Sequence, residues 1–250
     1  MKLNCDLGES FGSWHKGNDS QIMPLIDLAN IACGFHASDP LTMHTTVKLA
    51  VEHNVTIGAH PSYPDLIGFG RRSMAYSAQE LTAIFHYQIG ALQAICSCQD
   101  TRVSYVKPHG ALYNDMMVNQ ALFITLCTAM VQLDTNLPLM VQALPDTSFF
   151  RETADKFGIT LWFEAFADRR YDDKGLLVSR EHINAVIHNE EQVIAQCKHL
   201  LQHGELISIN GKLLNIHVDS LCVHGDNPAA IALVTSLNRM LRDHVMKASE

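Results

Sequence analysis

The stretch VSYVKPHG, residues 103–110, decides the architecture. Its β-branched and aromatic residues read as a strand, Pro108 removes a backbone donor and constrains the exit, and a histidine and a glycine stand where the chain turns. Two earlier runs end the same way, NIACGFH at 30–36 and TIGAH at 56–60. Strands that each close on a histidine imply neighbours running in one direction, with their imidazoles at a common rim.

Working outward, further short apolar runs are KLNCDL at 2–7, LANIAC at 28–33, VTIGA at 55–59, LPLMVQA at 137–143, ITLWFEAF at 159–166 and VDSLCVH at 218–224. They do not alternate between polar and apolar, the pattern of strands covered on both faces. Helical segments lie between them. Asp39 and Pro40 form a cap and first turn for a helix through about His53, and Ser77 with Glu80 has capping-box spacing ahead of LTAIFHYQIGALQAI. Helices are also predicted near 119–133, 146–157, 181–203 and 228–247. Strand and helix thus take turns seven times, which predicts a parallel α/β architecture. The exception is GELISINGKLLNI at 204–216, where Asn210 and Gly211 suit a tight hairpin. Alternation alone leaves a closed or incomplete barrel and an open doubly wound sheet as alternatives.

The chain has 250 residues, 47% of them hydrophobic, with no linker-like or low-complexity tract, so one α/β domain over 1–250 is expected. A net charge of -8 argues against nucleic-acid or anionic-membrane partners. No run approaches a membrane span and MKLNCDLGES does not read as a signal peptide, so a cytoplasmic protein is expected. Seven cysteines, an odd number scattered through apolar segments, read as reduced and mostly buried thiols.

His36, His60, His109 and His224 stand at or just past strand ends, and Asp6 and Glu9 take the same place after the first strand. In a parallel barrel that rim gathers groups from distant positions around one pocket. A single histidine among 14 reads first as a structural hydrogen-bond partner; four at equivalent strand ends read as a shared site. Histidine moves protons near neutral pH or binds a divalent metal, and carboxylates at Asp6, Glu9, Asp39 and Asp226 can orient the rings, bind metal or poise water. Asp6, His60 and His109 are the metal-ligand candidates, although there is no HExxH and no compact cysteine/histidine cluster to choose that role.

In IGAHPSYPDLIGFGRR, 57–72, Gly68 and Gly70 permit close backbone approach, while Arg71 and Arg72 either clamp an oxyanion or serve as surface charges. Neither GxGxxG nor a P-loop is present. Lys107, in a strand expected to be buried, needs either an ion-pair partner or a bound anion. EAFADRRYDDKG, 164–175, places Glu164, Asp168, Arg169 and Arg170 beyond the sixth strand as an ion network or an active-site clamp.

Six segments, NCDLGESFG, NIACGFHASDP, IGAHPSYPDLIGFGRR, YVKPHGALYN, FEAFADRRY and CVHGDNP, occur in the order of the signatures of the LamB/YcsF family, and the resemblance runs almost end to end. One departure is Ser38, where that family more often has glycine. The resemblance implies an incomplete, TIM-like (β/α)7 barrel of the glycoside hydrolase/deacetylase type. It also implies opening of the 5-oxoproline lactam to glutamate, coupled to ATP hydrolysis, with Mg2+ accompanying the nucleotide and partner subunits B and C completing the enzyme. On that footing Asp6, Glu9, His36, His60, Lys107, His109 and His224 surround the lactam and water, and Arg71, Arg72 and Lys107 neutralise phosphate or the substrate carboxylate. Two other readings remain: a metal-dependent, carbohydrate deacetylase-like hydrolase, and a noncatalytic substrate-binding subunit.

Overall fold

A computed structural model of the chain describes residues 1–133, 136–223 and 228–248. Six of the expected strands are β1 (Lys2–Leu7), β2 (Leu28–Ala32), β3 (Thr56–His60), β4 (Tyr105–Val106), β5 (Leu139–Gln142) and β6 (Leu161–Phe166). The Asn210–Gly211 turn joins β7 (Glu205–Ile207) to β8 (Leu213–Asn215) as an antiparallel hairpin apart from the main sheet. The seventh barrel strand is β9 (Ser220–Cys222), which pairs in parallel with both β1 and β6 and so closes the ring. The TIM-like barrel is incomplete only in having seven strands where the common form has eight; it has no open edge.

The helices are α1 (Asp19–Ile22), α2 (Pro40–Glu52), α3 (Ala78–Ser97), α4 (Gly110–Val118), α5 (Gln120–Gln132), α6 (Ser148–Phe157), α7 (Glu190–His203) and α8 (Pro228–Ala248). Asp39 caps α2, accepting from the amides of Leu41 at 2.9 Å and Thr42 at 3.0 Å. It also accepts from the Gly12 amide, and these bonds hold its carboxyl down at about 2. Asp39 is therefore a helix cap and not an orienting group for the histidines. The Ser77/Glu80 capping box starts α3, which buries Leu81, Phe85, Ile89, Leu92 and Cys96 along one stripe. Each such side chain withdraws apolar area worth about 1.5–3 kcal/mol from water.

Two elements depart from expectation. The chain does not pause in a turn after His109: α4 starts at once, burying Ala111, Leu112, Tyr113, Met116 and Met117, which spread round the helix and leave no single apolar stripe to read. The helix expected from 181 starts only at Glu190, where the Asn189 side chain accepts from the Gln192 amide at 3.0 Å. Glu164 lies within β6 and is fully buried, not beyond the strand.

Ser38 adopts φ +76° at a fully buried position, a backbone that glycine takes without strain. Ser38→Gly is expected to stabilise the fold by about 0.5–1 kcal/mol, measurable as an increased urea midpoint at unchanged slope. All seven cysteines are unpaired and six are buried. No described helix is long and apolar enough to cross a membrane.

Candidate active site

A cavity of about 540 Å³ opens at the C-terminal rim of the barrel, lined among others by Asp6, Glu9, His60, Lys107 and His109. Its floor follows from strand geometry. Alternate residues of a strand share a face, so Asn4 and Asp6 of β1 look the same way, and parallel register sets Asp6 beside Asn30 of β2. Asn30 donates through its amide nitrogen to Asn4 Oδ1 and Asp6 Oδ1, each at 2.8 Å, and accepts from the Tyr105 hydroxyl at 2.6 Å. Asn4 in turn donates to Ser220 Oγ at 2.7 Å and Glu164 Oε2 at 3.3 Å.

The Lys107 ammonium stands in this floor, 3.1 Å from Asp6 Oδ1 and 3.0 Å from Glu164 Oε2, with Asn4 Oδ1 at 3.3 Å and Cys222 Sγ at 3.2 Å. Burial alone would push an ammonium toward its neutral form, but the adjacent Asp6 and Glu164 carboxylates outweigh that and hold it well above the ordinary lysine value. Lys107 has three N–H donors and these four neighbours already surround it. In this arrangement Lys107 is the counter-charge that fixes Asp6, the ion-pair partner its buried position calls for.

Above the floor, His60 Nδ1 donates to the Lys107 carbonyl at 2.7 Å and His109 Nε2 donates to the Phe69 carbonyl at 3.0 Å. The inner nitrogens, His60 Nε2 and His109 Nδ1, face each other at 2.9 Å. His60 Nε2 is also 3.4 Å from Asp6 Oδ2. Glu9 Oε1 lies 3.3 Å from His36 Nε2 and 3.8 Å from His109 Nδ1. His36 sits behind the wall, stacked on His109 with ring centroids 3.7 Å apart and planes within 3°. The loop carrying Phe69 can press this close because of two glycines. A Cβ on Gly70 would stand 2.8 Å from both His36 Cβ and His109 Cδ2, and one on Gly110 would stand 2.5 Å from the Gly70 carbonyl oxygen. Both also have positive φ.

Burial holds the pKa of His36 and His109 well below the ordinary histidine value; His60 adds to the effect at His36, and His36 then His60 at His109. The unfolded chain takes up protons near pH 6.5 that these two rings refuse when folded. Their stabilising contribution is thus complete above that range and is lost as the pH falls toward the lowered folded values. Stability is therefore expected to fall as the pH is lowered from about 7.5 to about 5.5. Urea denaturation across that range in the presence of chelator checks this, with a flatter profile expected for a variant lacking both rings.

The expected residues divide clearly. Asp6, Glu9, His36, His60 and His109 come together, and Arg71 reaches the cavity lining with its guanidinium over the Phe69 ring. Arg72 does not join them: its guanidinium pairs with the buried Asp65 carboxylate, seven residues back. That pairing, with the Gly68 amide, keeps Asp65 ionised below the usual carboxylate range. His224, with Asp226, lies outside the described residues. Lys16, Arg169 and Arg180 add positive charge to the lining. Arg169 is buried and donates to the Val178 carbonyl at 2.6 Å; burial, then Arg180, brings its guanidinium down to about 10. The arrangement can accept a small anionic molecule beside carboxylates and neutral imidazoles able to move protons.

The whole chain, residues 1–250, matches the model of the LamB/YcsF family. The chain belongs to the LamB/YcsF family. Among curated relatives, the A component of 5-oxoprolinase from Pseudomonas fluorescens strain Pf0-1 is 54% identical over 243 residues, covering 97% of each chain. A protein of the same name from Vibrio cholerae is 51% identical over 241 residues, covering 96% of this chain and 97% of its own. Among solved structures, the "lactam utilization protein" of Thermus thermophilus superposes with a TM-score of 0.88 at 37% identity, over 97% of this chain and 96% of that one.

For this LamB/YcsF chain, sequence reasoning missed Asn4, Asn30 and Tyr105, which build the polar floor. A signal was present. Asn4 and Asp6 recur two residues apart in an otherwise apolar strand, and Asn30 interrupts another apolar run. A polar residue in a strand covered on both faces has to be met by a partner.

Proposed function

We propose that this chain is the A component of an ATP-dependent 5-oxoprolinase, acting on the lactam ring of 5-oxoproline with partner subunits B and C. The observation that carries the reading is Asp6. Its Oδ1 is held by Lys107 and Asn30 while its Oδ2 turns toward His60 at the base of a cavity with cationic walls. The names of the half-identical relatives and of the Thermus structure point to the same substrate class.

A lactam carbonyl is a poor electrophile because nitrogen donates into it. Transfer of the γ-phosphoryl group of ATP to the lactam oxygen releases ADP and removes that resistance. One water then adds to the ring carbon, the carbon–nitrogen bond breaks as nitrogen takes up a proton, and a second water releases phosphate to leave glutamate. Asp6, positioned by Lys107, accepts the proton of the attacking water. Arg71, with Lys16, offsets the charge of the substrate carboxylate or the transferred phosphate. Mg2+ accompanies the nucleotide, as phosphate charge requires.

The test is an assay of the chain alone and with the two partners for 5-oxoproline-dependent release of phosphate and glutamate. Glutamate formed only by the complete assembly, in step with phosphate, is the expected result. No glutamate from a folded, verified assembly contradicts it, and ATP-independent amide hydrolysis by the isolated chain would favour a deacetylase-like hydrolase instead.

A further inference from the structure

Two facing nitrogens at the cavity wall have no hydrogen between them when both rings are neutral. A carbonyl oxygen only accepts, so a neutral His60 spends its one hydrogen at Nδ1 on the Lys107 carbonyl, and a neutral His109 spends its own at Nε2 on the Phe69 carbonyl. In the neutral rings His60 Nε2 and His109 Nδ1 are then both bare lone pairs, yet they stand 2.9 Å apart. The nearest additional groups make the conflict worse. Asp6 Oδ2 is an acceptor 3.4 Å from His60 Nε2, and Glu9 Oε1 is another, 3.8 Å from His109 Nδ1. Four such groups converging on one point call for a positive centre among them, which either a shared proton or a metal ion supplies.

We propose that Glu9, His60 and His109 form a binding site for a single divalent transition-metal ion, with the Lys107 and Phe69 carbonyls fixing the ligand tautomers. Their ligand atoms lie within 4.8 Å of one another. Metal–ligand bonds of about 2.0–2.2 Å place adjacent donors roughly 3–3.5 Å apart, and the spacings of 2.9 Å for His60–His109 and 3.8 Å for Glu9–His109 bracket that. The hydrogen bonds from His60 and His109 to backbone carbonyls are the outer-shell contacts that orient imidazole ligands in metal sites. His36 backs the site: its ring stacks flat on His109, so its in-plane lone pair does not meet the same ion. Two imidazoles and a carboxylate, with no thiolate, suit Zn2+, Co2+ or Ni2+ over Mg2+ or Ca2+. The ion would supply a Lewis acid beside Asp6. That chemical role rests on the proposed lactam reaction; the binding does not.

The experiment uses the full chain stripped with chelator and then titrated with Zn2+ and, for spectroscopy, Co2+. One ion per chain is expected, with Co2+ absorption typical of nitrogen and oxygen ligands and an increased melting temperature. His60→Gln and His109→Gln are each expected to weaken binding ~100-fold or more, while His53→Gln, at an exposed site, leaves it unchanged. Far-UV circular dichroism and the melting temperature without metal establish that the variants fold. The proposal is overturned if the folded wild-type chain takes up no stoichiometric ion, or if both variants bind as tightly as wild type. It is also overturned if nitrogen NMR of the stripped protein shows a proton bridging the two rings that metal does not displace. Stoichiometric metal in an assembly that forms no glutamate would leave this site standing and sink the lactam reaction alone.

Discussion

Replacing Lys107 with methionine is expected to lower the free energy of unfolding by about 3–5 kcal/mol, the cost of leaving a buried charge without its partner. The ammonium is only 2% exposed and stands between two carboxylates, Glu164 fully buried and Asp6 partly open to the cavity. Methionine matches the stem but not the charge, so Glu164 keeps its desolvation cost and loses its counter-ion. Burial already raises the Glu164 pKa, and Lys107 is the strongest influence opposing that. Without it, Glu164 protonates more readily and the variant loses stability more steeply as the pH rises. Lys107→Met combined with Glu164→Gln should recover much of the loss, because the amide needs no counter-charge. Urea denaturation of wild type, both single variants and the double gives the coupling directly. A Lys107→Met protein within about 1 kcal/mol of wild type would show the network to be weaker than its geometry implies.

Asp6→Asn is expected to reduce glutamate formation by the reconstituted assembly by roughly 10²–10⁴-fold, the range for removing a positioned proton acceptor. The substitution is isosteric. Its carbonyl can still accept from Lys107 and Asn30, and its amide takes the place of the Oδ2 that faces His60. Fold and assembly should therefore persist while the proton acceptor is gone. The pH–rate profile separates this from mere misplacement: loss of the base removes the acidic limb, whereas a distorted pocket leaves the limb and lowers the plateau. Full turnover by a folded Asp6→Asn assembly would assign the chemistry to another polypeptide and leave this one as a binding component.

Much of the fold was legible because its strands are covered on both faces and so appear as short unbroken apolar runs, and because its helices announce themselves with caps at Asp39 and Ser77. The histidine-ended strands gave the rim for the same local reason: Ala32 of β2 registers with His60 at the end of β3, and Ala59 of β3 with Val106 of β4, just before Lys107. What stayed hidden was the choice of partner. Lys107 was open to either an anion or an ion pair, and only the inward curl of the barrel brings Glu164, two strands further on, and Asp6, across the lumen, to its ammonium. Arg71 and Arg72 are equivalent as letters; Asp65 captures one and leaves the other to the cavity. The tautomers of His60 and His109 depend on two carbonyls whose directions no spacing reveals. Nor could α4 be read, since its buried residues spread over most of the helix and leave only a narrow outer face at Asn114, Asp115 and Val118.

The central claim is that groups remote in sequence form one reaction site at the mouth of the barrel. A structure of the complete assembly with a non-reacting 5-oxoproline analogue and nucleotide tests it most directly. The account predicts the lactam ring against Asp6, Glu9, His60 and His109, with its carboxylate or the transferred phosphate near Arg71. A lactam bound on one of the partner chains, with this cavity filled only by water, would contradict it.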